Sequence, residues 1–157
     1  MILPSFVFAF SICFISWIVG LFLNAVIMKM AFYQRLSNFN FIRSKAVNNA
    51  IGLPAIKWII KNTPFKLFNP ALKLEGRAGL EELTEMRKQM TYAETGHLIG
   101  FNFVVIVAVV MAVQSKFLLA LIILIVNLPM NLYPSLLQQE NKRRIDRLIA
   151  VMKRRAQ

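Results

Sequence analysis

The chain has 157 residues, of which 57% are hydrophobic and only 17% charged, and its mean hydropathy is +0.57. This excludes an ordinary soluble domain and predicts a single membrane domain over 1–157. A formal charge of +12 would suggest nucleic acid in a soluble protein. Cytoplasmic loops of membrane proteins collect Lys and Arg in any case, and no nucleic-acid recognition motif of the usual kinds is visible, so no such partner is expected.

Residues 1–30 supply the first predicted span. No charged side chain occurs before Lys29, and about 20 apolar residues cross a hydrocarbon core. The helix is expected from about Pro4 to Met28. It lacks a basic n-region and is too long for an ordinary signal-peptide core, so it reads as a retained transmembrane helix. Its Cys13 has no partner cysteine. It is expected to be a small membrane-facing residue, and one Cys with one His cannot build a metal site.

Residues 31–95 are expected to be interfacial and cytoplasmic helices. "IGLPAIKWIIKNTPFKLFNPALKL" (51–74) mixes large apolar residues with spaced lysines and is cut by Pro54, Pro64 and Pro70. It suits the headgroup layer, with lysines on anionic phospholipid headgroups. A re-entrant dip and a packed cytoplasmic subdomain are the other readings. Residues 78–95 read as a helix with Leu83, Met86, Met90 and Ala93 on one face, able to run directly into the next span.

Residues 96–137 form a predicted transmembrane hairpin, with helices from about Gly96 to Gln114 and from Phe117 to Leu137, joined at "QSK". Residues 138–157 read as a basic amphipathic helix with Ile145, Leu148, Ile149 and Met152 as its stripe. It is expected on the inner membrane surface or packed on the middle segment. Eleven Lys and Arg fall in 29–95, seven in 138–157 and one, Lys116, in the hairpin turn. That asymmetry predicts an outside N-terminus and a cytoplasmic C-terminus. The fold class is thus all-α, an integral membrane protein with three spans.

Polar residues recur at the basic ends of the hairpin helices, and polar groups inside a membrane usually face a protein interior and mark function. Counting from Ser115, His97 lies level with Tyr133, near Asn131, and Asn102 lies level with Leu128, next to Asn127. Pro129 and Pro134 disturb the last helix at this depth. Gly96 and Gly100 have the spacing of a helix-packing motif. Glu94 and His97, three residues apart, share a face. They read either as a general base with a carboxylate that fixes its tautomer, or as an interfacial histidine bonded to Glu94 or a carbonyl. Phosphate loops, metal-ligand sets and dinucleotide fingerprints are absent.

The order "ETGH" at 94–97, a short turn, then "NLYPSLLQQENKRR" at 131–144 and a basic amphipathic tail resembles the glycosyl-4,4'-diaponeurosporenoate acyltransferase family, small bacterial membrane enzymes of staphyloxanthin-type carotenoid synthesis. The shared positions are Glu94, His97, Asn131, Pro134, Gln138, Asn141 and Arg144. The chain departs from the family pattern at Gln139 and Glu140, where an Arg-Tyr pair is typical, and at Leu98, where Trp often stands. The resemblance implies acyl transfer from an acyl thioester such as acyl-CoA to a hydroxyl of a lipid-like or glycosylated acceptor, with no bound cofactor and no metal. On that reading His97 and Glu94 form the catalytic pair, and Asn131, Gln138 and Asn141 stabilise the oxyanion. Lys142 and Arg144 would hold the phosphates of the acyl carrier. The alternative is a non-catalytic subunit of a membrane complex, with the polar zone serving helix packing; a homo-oligomer is also compatible. A proton or ion path is a third reading, weakened because no ionisable partner lies deeper in the span.

Overall fold

Uninterrupted apolar sequence gives three long helical rods, and short amphipathic pieces gather at one end of them. The computed structural model describes residues 2–37, 41–42, 44–63 and 79–155. The long elements are α1 (Ile2–Ile27), α5 (Leu80–Val113) and a rod made of α6 (Phe117–Asn127), a π-helical turn (Leu128–Leu132) and α7 (Tyr133–Arg155). The short helices are α2 (Tyr33–Ser37), α3 (Lys45–Ala50) and α4 (Leu53–Asn62). The three rods are each long and apolar enough to cross a membrane, and no strand occurs among the described residues. The fold is an all-α integral membrane protein.

One continuity open to the sequence is realised, and one expected boundary is absent. The helix predicted over 78–95 runs into the second span as one helix of 34 residues, because no breaker intervenes and glycine at 96 is tolerated inside a packed helix. The basic tail likewise continues the third rod and is no separate element. The prolines do not end that rod. Tyr133 donates its backbone N–H to Leu128, five residues back, and this wider turn absorbs the donors missing at Pro129 and Pro134.

α1 and α5 run antiparallel and touch backbone to backbone. The buried residues of α1 are Ala9, Cys13, Ser16, Gly20 and Asn24, a stripe of small and polar side chains at helical spacing. A Cβ placed on Gly20 would lie 2.4 Å from the Gly96 carbonyl oxygen, and one on Gly100 would lie 3.1 Å from the Ser16 carbonyl oxygen. Close packing therefore requires glycine at 20 and 100, whereas a Cβ at Gly96 would meet only ordinary contacts, Asn24 Nδ2 at 3.8 Å and the Gly20 carbonyl oxygen at 3.9 Å. Cys13 is fully buried in this stripe, so it faces the bundle and not the membrane. A small side chain is what the close approach needs there.

The apolar core lies toward the hairpin turn, where Ala9 and Cys13 meet Val104, Ala108, Ile122, Ile123 and Val126. Toward the other end, Leu83 and Met90 of α5 pack on Ile145 of α7, so the amphipathic tail docks on the extension of the second span. Leu53 of α4 is buried against Leu136 and Leu137, while Trp58 is exposed. The Tyr133 hydroxyl donates to the Ile51 carbonyl at 2.6 Å and ties this end of α4 to the rod. Residues 64–74 of the expected interfacial stretch, with Pro64 and Pro70, lie outside the described residues.

Gly20→Val places a branched side chain where only a hydrogen fits. The expected loss is about 1–3 kcal/mol, seen as a lower unfolding temperature in detergent. Gly79→Ser serves as the control: a Cβ at Gly79 meets nothing within 4 Å and serine is a good N-cap, so no loss is expected.

Candidate active site

The polar residues of α5 and of the third rod meet in two layers. The inner layer is neutral, and its amide orientations follow from one carbonyl. Asn127 donates its Nδ2 to the Phe101 carbonyl at 3.1 Å, which turns its Oδ1 toward Asn131. Asn131 Nδ2 then donates to Asn127 Oδ1 at 2.8 Å and to Ser16 Oγ at 3.0 Å. The amide nitrogen of Asn131 is thereby committed, and its buried Oδ1 is left unbonded. Ser16 passes its own proton to the Cys13 carbonyl at 2.6 Å. The chain of donors crosses all three long helices.

His97 stands beside this layer, half-buried. Its Nδ1 is buried and unbonded. The Asn131 side chain lies within reach of the ring, and the Trp17 indole meets the imidazole edge to face, with centroids 6.1 Å apart and planes at 88°. Trp17 is itself fixed, because its Nε1 donates to the Met130 carbonyl at 3.2 Å. That carbonyl lies four residues before Pro134, which has no N–H to give it. The proline break thus creates the acceptor that holds the indole against the histidine.

The outer layer is charged. Glu94 and Lys142 form an ion pair with side chains 2% and 5% exposed. Lys142 also donates to the Ser37 carbonyl at 3.0 Å. Arg87 joins Asp146 at 2.5 Å and gives a second donor to Ser37 Oγ. Gln139, 1% exposed, has its amide beside the Glu94 carboxylate. Both polar atoms of Gln139 and the Ser135 hydroxyl are buried and unbonded. They form a strip of polar atoms between the two layers.

The expected pairing of Glu94 with His97 is not formed. Three residues apart on a helix, the two side chains share a face, but Glu94 is taken by Lys142 from the neighbouring rod. A carboxylate in a weakly polarisable interior gains far more from a cation than from a neutral imidazole. Lys142 is correspondingly buried and committed, so it is not free for a carrier phosphate. Asn131 and Gln138 are buried, Asn141 is half-buried and Arg144 is exposed. Asn131 offers an acceptor where the sequence suggested a donor. Asn102 lies outside the cluster, exposed and bonded to the Leu98 carbonyl of its own helix. The residues that spacing did not nominate are Ser16 and Trp17 on α1, with Ser135 and Gln139 on α7. Their signal was the small and polar stripe of α1 and the four-residue ladder 127, 131, 135, 139.

Fold and site together define a three-span helical membrane protein with a buried polar layer next to its most basic end. A family profile for glycosyl-4,4'-diaponeurosporenoate acyltransferase matches residues 29–151, most of the chain, and the chain belongs to that family. No curated protein and no solved structure matches it.

Lys142→Met leaves the Glu94 carboxylate buried without its cation and is expected to cost about 3–5 kcal/mol. Glu94→Gln together with Lys142→Met should recover most of this, since the two losses share one interaction. Unfolding of the single and double variants in detergent measures the coupling.

Proposed function

We propose that the chain is a membrane acyltransferase. It moves an acyl group from an acyl thioester to a hydroxyl of a lipid-like, glycosylated acceptor of the carotenoid type, at the cytoplasmic face of a bacterial membrane. Family membership over residues 29–151 is the observation that carries this reading. The reading is supported by a histidine in the matched segment with a buried, unbonded Nδ1 and Asn131 within reach of its ring; Ser135 and Gln139, one and two turns along the rod from Asn131, carry further unbonded polar atoms. Buried polar groups in proteins are nearly always paired, so such a strip suits the hydroxyls of a sugar.

In this scheme His97 Nδ1 accepts the proton of the acceptor hydroxyl as its oxygen attacks the thioester carbonyl carbon. The carbonyl electron pair moves to oxygen. The Ser135 hydroxyl, buried and unbonded one turn from Asn131, serves the oxyanion. Asn131 Oδ1 accepts a hydrogen bond from the imidazolium, the role that sequence spacing gave to Glu94. When the tetrahedral intermediate collapses, the C–S bond breaks and the thiolate takes the proton back from His97. Ester and free thiol leave with no net change in protons. Arg144 is exposed, and in this scheme it meets carrier phosphates in solvent. Glu94 and Lys142 hold the layer together and do not touch the reacting atoms.

The test uses the protein in proteoliposomes with labelled acyl-CoA and a glycolipid acceptor. His97→Ala should lower turnover by about 100-fold or more, and Asn131→Leu should lower kcat more than it raises KM. Full turnover in His97→Ala would overturn the reading. Absence of any transfer by the wild-type protein, with stoichiometric co-purification of other subunits, would favour a non-catalytic role in a membrane complex.

A further inference from the structure

The family match begins at residue 29, yet the first helix supplies the ring packed on His97. Phe14 and Trp17, one turn apart, meet edge to face with centroids 5.0 Å apart and planes at 78°. Trp17 meets His97 in the same manner. Phe14 is 51% exposed on the outer surface of the bundle. The three rings therefore make a continuous aromatic path from the surface that faces the acyl chains to the imidazole. One end is apolar and open, and the other is the proposed base beside a polar strip. An amphiphile with a sugar at one end and a long apolar chain at the other has the same polarity sequence. Aromatic rings give such a chain a large, rigid contact at low entropic cost.

We propose that Phe14 and Trp17 form an aromatic ledge that seats the apolar chain of the acceptor as it arrives from within the bilayer, and that Trp17 is a positioning residue for His97. The proposal rests on the acyltransferase reading for the identity of the acceptor. The ledge itself is a binding surface that can be tested without turnover. Trp17 is locked by its bond to the Met130 carbonyl, so it holds one face of the imidazole while Nδ1 stays free. The first helix is held at its own depth by the Gly20–Gly96 contact and by Asn24, which donates to the Tyr92 carbonyl at 2.7 Å. The ledge cannot slide relative to the histidine without breaking both.

The chain has two tryptophans, Trp17 and Trp58, so Trp58→Phe leaves Trp17 as the only indole. In liposomes of this variant, an alkyl glucoside with a brominated chain should quench Trp17 emission saturably. Phe14→Ala should raise the half-saturating concentration about tenfold. Phe22→Ala, on the same helix and 69% exposed, is expected to leave it unchanged. Quenching that rises linearly and is identical in Phe14→Ala would overturn the ledge. Protonated imidazole quenches indole on contact, so Trp17 emission should also fall in one step on acidification, and His97→Ala should abolish that step. A step that persists without His97 would overturn the positioning role. With turnover, the ratio of kcat/KM for long-chain over short-chain glucosides should fall about tenfold in Phe14→Ala, and an unchanged ratio counts against the ledge. If the fluorescence results hold and no acyl transfer occurs, the acyltransferase reading fails and the ledge stands.

Discussion

The side-chain amide of Asn131 is the group on which the three long helices agree. Its nitrogen reaches Ser16 on α1 and Asn127 on its own rod, and Asn127 in turn reaches the backbone of α5 at Phe101. Its oxygen lies over Gly100, where an added Cβ would be 3.0 Å away. In a segment where water cannot supply partners, such bonds have to be made inside the protein. They fix helix rotation as well as helix contact, since a turn of any rod by one residue would strand a donor. The apolar core on the hairpin side can slide by comparison. Its side chains are aliphatic, and the lipid outside is as apolar as they are.

The two polar layers solve the same problem differently. Near the basic end, where water and counterions are close, the bundle carries a full ion pair, Glu94 with Lys142, and binds its cation further through the Ser37 carbonyl. One layer deeper it uses only amides, hydroxyls and an imidazole. Charges cost more with depth, so the grading is what the medium dictates. The consequence for His97 is chemical. With Glu94 drawn away to Lys142, the imidazole has no carboxylate to hold a proton on it. Its neighbours are an aromatic edge and an amide oxygen. The imidazole thereby keeps a buried, unbonded Nδ1.

Much of this was legible in the sequence, and the failures share a cause. The apolar runs define three spans, and counting outward from Ser115 brings Asn127 and Asn131 to the depth of residues 97–102, as the bond to Phe101 shows. The prolines at 129 and 134 mark the irregular turn. Spacing along one helix misled at Glu94, because it reports which face a side chain occupies and not what the neighbouring helix presents to it. Lys142 lies 48 residues further on and reads as a cation for carrier phosphates, with nothing in the spacing to pair it with Glu94. The uncharged first helix hid its contribution for a similar reason. Ser16, Trp17, Gly20 and Asn24 look like scattered small or aromatic residues in an apolar run, and only the partner helix reveals that three of them form one contact face. Cys13 belongs to the same face and was misread with it.

Gln139 and Glu140, which follow the buried Gln138 on α7, face different surroundings. Gln139 is buried beside Glu94, and Glu140 pairs with Lys57 at 2.5 Å on a half-exposed surface. Gln139 puts a neutral amide beside the carboxylate, so Lys142 has no second side-chain cation competing with it at that position. Glu140 supplies an anion that ties α4 to α7, next to the contact of Leu53 with Leu136 and Leu137. Both positions lie on the basic side of the inner layer, and neither touches His97, Asn131 or the ring of Trp17. The frame around the histidine is therefore set by α1, α5 and the π-helical turn.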